Sequence, residues 1–283
     1  MKFVPMKNLM AHAMKHGYAV PSFCAWNAEV METILSVCRR LRSPVILMAG
    51  PGEFPLLGPA ANAAVARTAL ARHNVKAALH LDHGDSLAMV KDCVKAGFSS
   101  VMLDFSTRSF EENTAALRRV CRMCRPKGIT VEGEIGAVGK TDLASVEGST
   151  GSRLTEPEEA AEYVKLTGVD CLAVSIGNAH GMYVKLPRFD FDRLAAIHEK
   201  VRIPLTLHGG TGTPEADLRR AIALGIAKVN VATALIGAYR ESLLSQWNAK
   251  RNLWTPIAQG EATKALAPVV EEWILRLNAD GKA

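Results

Sequence analysis

The unit that decides the fold lies at residues 77–103, AALHLDHGDSLAMVKDCVKAGFSSVML. The apolar runs at 77–81 and 100–103 have the length of strands, and they predict two buried strands. Between them, apolar residues recur every three or four positions from 86 to 96, which predicts a helix, and Gly97 follows where that helix should stop. A strand, a helix and a second strand in this order are typical of a parallel sheet.

The same alternation runs along the whole chain. Eight apolar runs predict strands, at residues 19–23, 45–48, 77–81, 100–103, 130–132, 171–174, 205–207 and 228–231. Helical spacing occupies much of what lies between them, as at 28–40, 111–124, 156–167 and 215–224. No Gly-x-Gly-x-x-Gly follows the first strand, which argues against an open dinucleotide-binding sheet. We therefore predict an α/β fold, a single (β/α)8 TIM barrel with an extra C-terminal helix at 261–277.

Length and composition agree with one domain spanning residues 1–283. The chain is slightly longer than the roughly 250 residues typical of this barrel, and its 48% hydrophobic content can supply a large core. The formal charge of +6 has no dense Lys/Arg run behind it, which indicates no nucleic-acid partner, although a mildly positive field would attract phosphorylated molecules. No secretory leader or membrane-length apolar run is present, so we expect a cytoplasmic protein. Its six scattered cysteines indicate free thiols.

Three of the eight histidines fall at predicted strand ends, and a glycine follows each of them. They are His83, His180 and His208. In such a barrel the strand ends converge on one rim, where catalysis is built. Any one of them could be an ordinary hydrogen-bonded rim histidine. Three imidazoles around an open fourth position form a catalytic zinc arrangement, so we predict metal binding.

Acidic residues lie at the same strand ends. Asp82, beside His83, is suited to general acid/base catalysis, with the holding of a histidine tautomer as its alternative role. Asp104 and Glu134 offer oxygen ligands for a second or alternative metal position, and ordinary salt bridges are the competing explanation. We interpret His80 as structural, either packed or orienting a ligand.

A phosphate site is predicted at the ends of the last two strands. Glycine-rich turns expose backbone N–H groups there, and a turn that enters a helix adds the helix N-terminus. The residues that fit are Gly209, Gly210, Thr211, Asn230, Val231, Ala232 and Thr233. A separate span, residues 136–153, is too irregular for a helix and has a length that often forms a lid.

At these motifs the chain resembles the class II, metal-dependent fructose-bisphosphate and tagatose-bisphosphate aldolases. The resemblance covers nearly the whole chain. Its most specific points are Leu81-Asp82-His83-Gly84, Val131-Glu132-Gly133-Glu134-Ile135-Gly136, Gly177-Asn178-Ala179-His180-Gly181, Leu207-His208-Gly209-Gly210-Thr211-Gly212 and Asn230-Val231-Ala232-Thr233.

This resemblance implies a function and a set of roles. The substrate would be a phosphorylated ketose, cleaved reversibly to dihydroxyacetone phosphate and an aldehyde. The resemblance implies that Zn2+ is bound by His83, His180 and His208, with Asp104 and Glu134 near a second metal position, and that Asp82 transfers the proton. It implies that dihydroxyacetone phosphate is held by Gly181 and by residues 209–211 and 230–233. Some relatives use a monovalent cation, Na+ or K+, and relatives are commonly homodimers or homotetramers.

The acceptor end of the site departs from the family's pattern. Relatives often carry an acid in the loop after the fifth strand, where Asp142 is the nearest substitute here. Cys24 stands where relatives often have Asn, and Gly50 where they have Ser or Thr. Many carry an Asp-Pro-Arg that grips the distal phosphate, whereas this chain reads LWTP at 253–256. We therefore predict a ketose 1-phosphate, or a 1,6-bisphosphate-like sugar, whose far end is unphosphorylated, deoxygenated, or bears a carboxylate or sulfonate.

Two other classes of function compete with this one. The first is another metal-dependent barrel enzyme, such as a hydrolase, but those usually show a His-x-His pair after the first strand and this chain has none. The second is a non-catalytic family member that binds sugar phosphate or acts as a partner subunit. The presence of every proposed ligand and of Asp82 argues against it.

Overall fold

Eight parallel strands close into a barrel in the computed structural model, which describes residues 2–54, 58–140, 153–181 and 188–283. The barrel strands are β1 (Val20–Cys24), β2 (Val45–Ala49), β3 (Ala77–Gly84), β4 (Ser100–Leu103), β5 (Thr130–Ile135), β7 (Cys171–Val174), β9 (Leu205–Leu207) and β10 (Ile226–Val231). They follow one another in chain order around the barrel, and β10 pairs with β1 to close it. A separate two-stranded sheet joins β6 (Gly139–Lys140) to β8 (Ala179–His180). The predicted TIM barrel is confirmed.

Helices surround the strands. Their bounds are α1 (Met6–His16), α2 (Ala28–Leu41), α3 (Gly58–His73), α4 (Leu87–Ala96), α5 (Phe110–Cys124), α6 (Pro157–Thr167), α7 (Phe191–Val201), α8 (Glu215–Ala223), α9 (Thr233–Ala249) and α10 (Thr255–Arg276), with a short 3-10 turn at Arg125–Lys127. Because helices cover the outer face and side chains fill the interior, β2 and β4 are buried along their whole length. This double burial explains why the strands are continuous apolar runs in the sequence.

Several elements begin or end at residues other than those predicted, and two of them show why. The C-terminal helix begins at Thr255 rather than 261, because Pro256 occupies its first turn, where a missing N–H costs nothing. Strand β3 continues to Gly84 instead of ending at 81, and its pairing with β4 shifts register between Leu81 and Gly84. The lid span of 136–153 is tied at its ends, where Ala137 and Arg153 exchange backbone hydrogen bonds of 2.8 and 3.0 Å. Residues 141–152 of that span lie outside the described residues.

Across the four described stretches, no helix is both long enough and apolar enough to cross a membrane.

Candidate metal centre and active site

Three histidines from separate parts of the chain meet at the C-terminal mouth of the barrel. His83 lies near the end of β3, His180 ends β8, and His208 follows β9 directly. One ring nitrogen of each lies within 4.8 Å of the others. His208 Nδ1 lies 2.9 Å from His83 Nε2. The structure thus brings together the three residues that the sequence nominated.

An extra residue in β3 delivers two side chains to this mouth. Leu81 pairs with Val101 and Gly84 pairs with Leu103, so three steps along β3 match two along β4. Such a bulge bends the strand and resets the alternation of its side chains. His83 adopts a positive φ of 45° within it. Strict alternation would send Asp82 and His83 to opposite faces, and the bulge lets both reach the site.

Carboxylates hold the imidazoles of His83 and His208. His83 Nδ1 lies 2.9 Å from Asp104 Oδ2, and His208 Nε2 lies 3.0 Å from Glu132 Oε1. Because a carboxylate only accepts, the hydrogen of each ring sits on the nitrogen that faces the acid. In each neutral ring the free lone pair is then on the other nitrogen, His83 Nε2 or His208 Nδ1. These two nitrogens face each other. Carboxylate-oriented imidazoles of this kind are the usual donors to zinc, so this donor set fits a metal ion.

The pKa of each orienting carboxyl group is lowered. Burial alone would raise the pKa of Asp104, but the hydrogen bond from His83, with hydrogen bonds from Ser106, holds it below its ordinary value. Burial likewise opposes ionisation of Glu132, and the charge of Lys228 with the hydrogen bond from His208 lowers its pKa. Both acids are therefore anionic partners for the imidazoles at neutral pH.

Asp104 and Glu134 also belong to a second group of possible ligands. One oxygen of each lies within 4.8 Å of a His83 nitrogen. Glu134 is 3% exposed, at the end of β5, and its Oε2 lies 3.8 Å from His208 Nδ1. Both acids therefore lie beside the three histidines, and a second metal position there stays a prediction.

The glycine after His208 is required by close packing. Gly209 has a φ of 66°, and a Cβ added to it would lie 1.9 Å from the carbonyl oxygen of Ala179. The neighbouring residue of Ala179 is His180. Because the backbone at Gly209 approaches the strand that carries His180, any side chain at 209 would push two of the histidines apart.

Asp82 lies beside the histidines and is held as a carboxylate. Asn230 Nδ2 donates to both of its oxygens, at 3.0 and 3.2 Å. Burial alone would raise the pKa of Asp82. Electrostatic attraction to His83 and Lys228 and the hydrogen bond from His80 outweigh burial and hold this pKa well below its ordinary value. A fixed and ionised carboxylate at the mouth of the barrel is able to accept a proton from a bound hydroxyl group.

A buried ion pair lies beneath this layer. Lys228 is fully buried, and its Nζ donates to both oxygens of Glu132 at 3.1 and 2.9 Å. His80 is also fully buried; its Nδ1 contacts Ser100 Oγ at 2.8 Å, and its Nε2 lies 3.6 Å from Asp82 Oδ1. His80 therefore packs below the site, in agreement with its structural interpretation. The sequence reading missed Lys228 and the orienting role of Glu132, because both lie inside apolar strands.

A cavity opens next to Asp82 and His180. Its lining consists of Met48, Asp82, His180, Gly181, Gly209, Thr211, Asn230, Ala232 and Thr233. Thr233 begins α9, so the N-terminus of that helix points at the cavity, and Thr211 Oγ1 accepts from the N–H of Ala234 at 3.3 Å. Six of the eight predicted phosphate residues line this cavity. The other two lie outside its lining: Val231 is buried in the core, and Gly210 packs against Val229.

The same mouth holds a further acid, Glu53, which the sequence analysis did not single out. Glu53 follows β2, its Oε2 accepts from the N–H of Gly50 at 2.7 Å, and its Oε1 lies 3.3 Å from Cys24 Sγ. It also lines an open groove of about 440 Å3. The remaining lining residues are Trp26, Ile236, Tyr239, Arg240, Leu243, Leu244 and Trp247. The predicted loop acid, Asp142, lies outside the described residues.

Comparison with known proteins agrees with this geometry. Residues 4–282 match the family described as fructose-bisphosphate aldolase class-II. The crystal structure of the YdjI aldolase from Escherichia coli K12 superposes with a TM-score of 0.88 at 30% identity, covering 99% of each chain. A putative fructose-1,6-biphosphate aldolase from Coccidioides immitis gives a TM-score of 0.88 at 30% identity, covering 98% of this chain and 97% of that one. Fructose-bisphosphate aldolase from Campylobacter jejuni, at 20% identity and a TM-score of 0.82, shares the fold.

Proposed function

The chain belongs to the class II fructose-bisphosphate aldolase family, and from that premise we propose a zinc-dependent aldolase that cleaves a phosphorylated ketose reversibly to dihydroxyacetone phosphate and an aldehyde. Family membership makes the chain an aldolase, and therefore a lyase. The observation that carries the rest of the proposal is the meeting of three histidine nitrogens within 4.8 Å of one another, with Asp82 beside them.

The metal in this proposal is zinc. His83, His180 and His208 would hold it, and neutral imidazoles oriented by carboxylates are donors that zinc accepts. Bound there, zinc supplies Lewis-acid polarisation of the ketose carbonyl. The Asp104 and Glu134 oxygens support a second or alternative metal position, and the family resemblance supports a monovalent cation, Na+ or K+, as a further ligand.

Asp82 is the proposed general base of cleavage. It would accept the proton of the C4 hydroxyl as the C3–C4 bond breaks, and return it in the synthetic direction. Two hydrogen bonds from Asn230 fix both carboxylate oxygens, so the group meets the substrate in one orientation. The second proton, which goes to C3, is assigned to Asp142 on the resemblance alone.

The phosphate of dihydroxyacetone phosphate is assigned to the cavity beside His180. Gly181, Gly209 and Thr211 line one part of the cavity. Ala232 and Thr233 line another part, where the N-terminus of α9 lies. Backbone N–H groups and the positive end of a helix favour an anion. Gly210, Asn230 and Val231 remain in the assignment as predicted.

The far end of the ketose is proposed to lack an ordinary phosphate. The chain has no Asp-Pro-Arg before its last helix, and the residues there, LWTP, offer no cation. We propose a ketose 1-phosphate, or a bisphosphate-like sugar, with an unphosphorylated, deoxygenated, carboxylate or sulfonate end. An assembly of two or four copies is also proposed, and the exposed side chains of Trp254 and Ile257 support it.

A substrate comparison tests the proposal. We would measure kcat/KM for fructose 1,6-bisphosphate, tagatose 1,6-bisphosphate and ketose 1-phosphates with altered C6 groups. We expect dihydroxyacetone phosphate release from all productive substrates, fastest with an altered C6 group. A clear preference for either bisphosphate over every altered compound would contradict the proposed far end, and release from none would contradict the aldolase assignment.

A further inference from the structure

Two departures from the family's pattern meet at one carboxylate. Cys24 and Gly50 stand at the ends of β1 and β2, where relatives often carry Asn and Ser or Thr. Glu53 joins them: Cys24 Sγ donates to one of its oxygens at 3.3 Å, and the Gly50 N–H donates to the other at 2.7 Å. The three residues form one unit at the mouth of the barrel.

This unit lies against the proposed catalytic base. A Cβ added to Gly50 would stand 2.3 Å from the carbonyl oxygen of Asp82 and 3.8 Å from Glu53 Oε2. A side chain at 50 would therefore collide with the backbone of Asp82, and it would also approach the carboxylate of Glu53. Burial raises the pKa of Glu53, and the nearby negative charge of Asp82 acts in the same direction.

On its other side, Glu53 faces the open groove. Trp26 and Tyr239 line that groove, with ring centroids 5.5 Å apart at an interplanar angle of 77°. Its volume of about 440 Å3 lies within the range of small-molecule sites. Aromatic faces beside a carboxylate suit a sugar, which offers C–H groups to the rings and O–H groups to the acid. Arg240 is the cation among the described lining residues, and it is exposed.

We propose that Glu53 determines which aldehyde the site accepts, by hydrogen bonding to the hydroxyl groups of an uncharged acceptor end and by disfavouring an anionic one. The inference rests on the proposed aldolase function and narrows its substrate class. Among the far ends considered above, it selects the uncharged, hydroxylated one.

An uncharged, hydroxylated aldehyde and an anionic aldehyde would interact differently with the carboxylate of Glu53. A carboxylate offers about four lone-pair positions. Cys24 and the backbone N–H groups of Gly50 and Glu53 donate to this one, and a sugar hydroxyl can donate to the position that is left. A phosphate, sulfonate or carboxylate end brings oxygens that carry negative charge and only accept, so it meets Glu53 with repulsion and without a hydrogen bond.

The test compares two aldehydes that differ only at the far end, where one carries a hydroxyl group and the other a phosphate. In the synthetic direction, with dihydroxyacetone phosphate, we would measure kcat/KM for D-glyceraldehyde and for D-glyceraldehyde 3-phosphate in the wild type and in Glu53→Gln. Hydrogen bonds to charged groups correspond to roughly a tenfold effect or more. We therefore expect the wild type to prefer D-glyceraldehyde and Glu53→Gln to lower that preference by at least about tenfold. Glutamine can still accept from the Gly50 N–H, so the turn should be kept.

A matched control and a second variant complete the test. Glu32 lies on α2 and pairs with His73 of α3, away from the groove lining, so Glu32→Gln should leave the preference unchanged. If circular dichroism shows that Glu53→Gln does not fold, Glu53→Asp withdraws the carboxylate by one methylene and should shift the preference in the same direction.

Three outcomes would overturn the inference. An unchanged preference in Glu53→Gln, in an active enzyme, overturns the role of Glu53 and leaves the aldolase function standing. A wild-type preference for D-glyceraldehyde 3-phosphate that Arg240→Ala abolishes would assign the acceptor end to Arg240 instead. Absence of wild-type turnover with both aldehydes and with every ketose 1-phosphate would overturn the proposed function and this inference together.

Discussion

His208 Nδ1 lies 2.9 Å from His83 Nε2, although 125 residues separate them and their strands stand on opposite sides of the barrel. The other nitrogen of each ring faces a carboxylate, Glu132 for His208 and Asp104 for His83, and a carboxylate places the ring hydrogen on that side. Two lone pairs therefore face each other at the centre of the mouth, an arrangement that a cation between them would stabilise.

We expect His208→Ala to lose its bound zinc. Removing one of three imidazoles leaves too few protein donors for tight binding, so metal analysis of the purified variant should give far less than the roughly one zinc per chain that three ligands should retain. His73→Ala is the control, because His73 pairs with Glu32 on the outer helices and should leave zinc content unchanged. Stoichiometric zinc in His208→Ala would exclude His208 as a ligand.

We expect Asp82→Ala to abolish cleavage while it retains zinc and the fold. The carboxylate is the proposed proton acceptor, and it is not one of the three imidazole donors. If Asp82 instead only orients a ligand, zinc affinity should fall by about 10–100-fold. Turnover and zinc affinity measured on the same variant distinguish these roles, and near-normal turnover would exclude both.

The repeating strand–helix pattern was enough to predict the barrel. Strands β4, β7 and β9 have the bounds that their apolar runs predict, because a strand buried on both faces needs apolar residues throughout. The extension of β3 to Gly84 was not predictable in this way. The bulge in β3 arises from how β3 pairs with β4, and the residues of β3 alone do not reveal that pairing.

The site was predictable where its residues end strands and belong to motifs. His83, His180 and His208 could be named from their positions before glycines. Glu53 could not, because it lies in a turn, and its partners Cys24 and Gly50 come together only when β1 and β2 pair. Buried Lys228 was hidden within an apolar strand for a similar reason: its partner Glu132 comes from β5.

We expect Lys228→Met to destabilise the protein by about 3–5 kcal/mol, the usual cost of removing one partner from a buried ion pair. The Glu132 carboxylate would stay fully buried without its cation. Denaturant unfolding measures the change. Lys264→Met, which breaks the exposed pair with Glu261, is the control and should change stability little. Equal stability of wild type and Lys228→Met would show that the pair does not hold the barrel interior together.

We expect the native thiols to resist alkylation at pH 7. All six cysteines are buried thiols outside any disulfide, and burial raises the pKa of Cys93 and Cys121 to about 12 and that of Cys124 to about 11. Because only the thiolate reacts, these thiols gain reactivity as the pH rises toward those values. Mass spectrometry after maleimide treatment should show these three modified only in the denatured protein. Rapid native labelling of Cys121 and Cys124 would indicate an accessible dithiol.

The most direct test of the central claim is dihydroxyacetone phosphate release measured before chelation, after a chelator has removed the metal, and after zinc is returned. The account predicts release from a ketose 1-phosphate by the untreated protein, loss of that release with the chelator, and recovery with about one zinc ion per chain. Undiminished release from metal-free protein, or no release from any ketose phosphate by zinc-loaded protein, would contradict it.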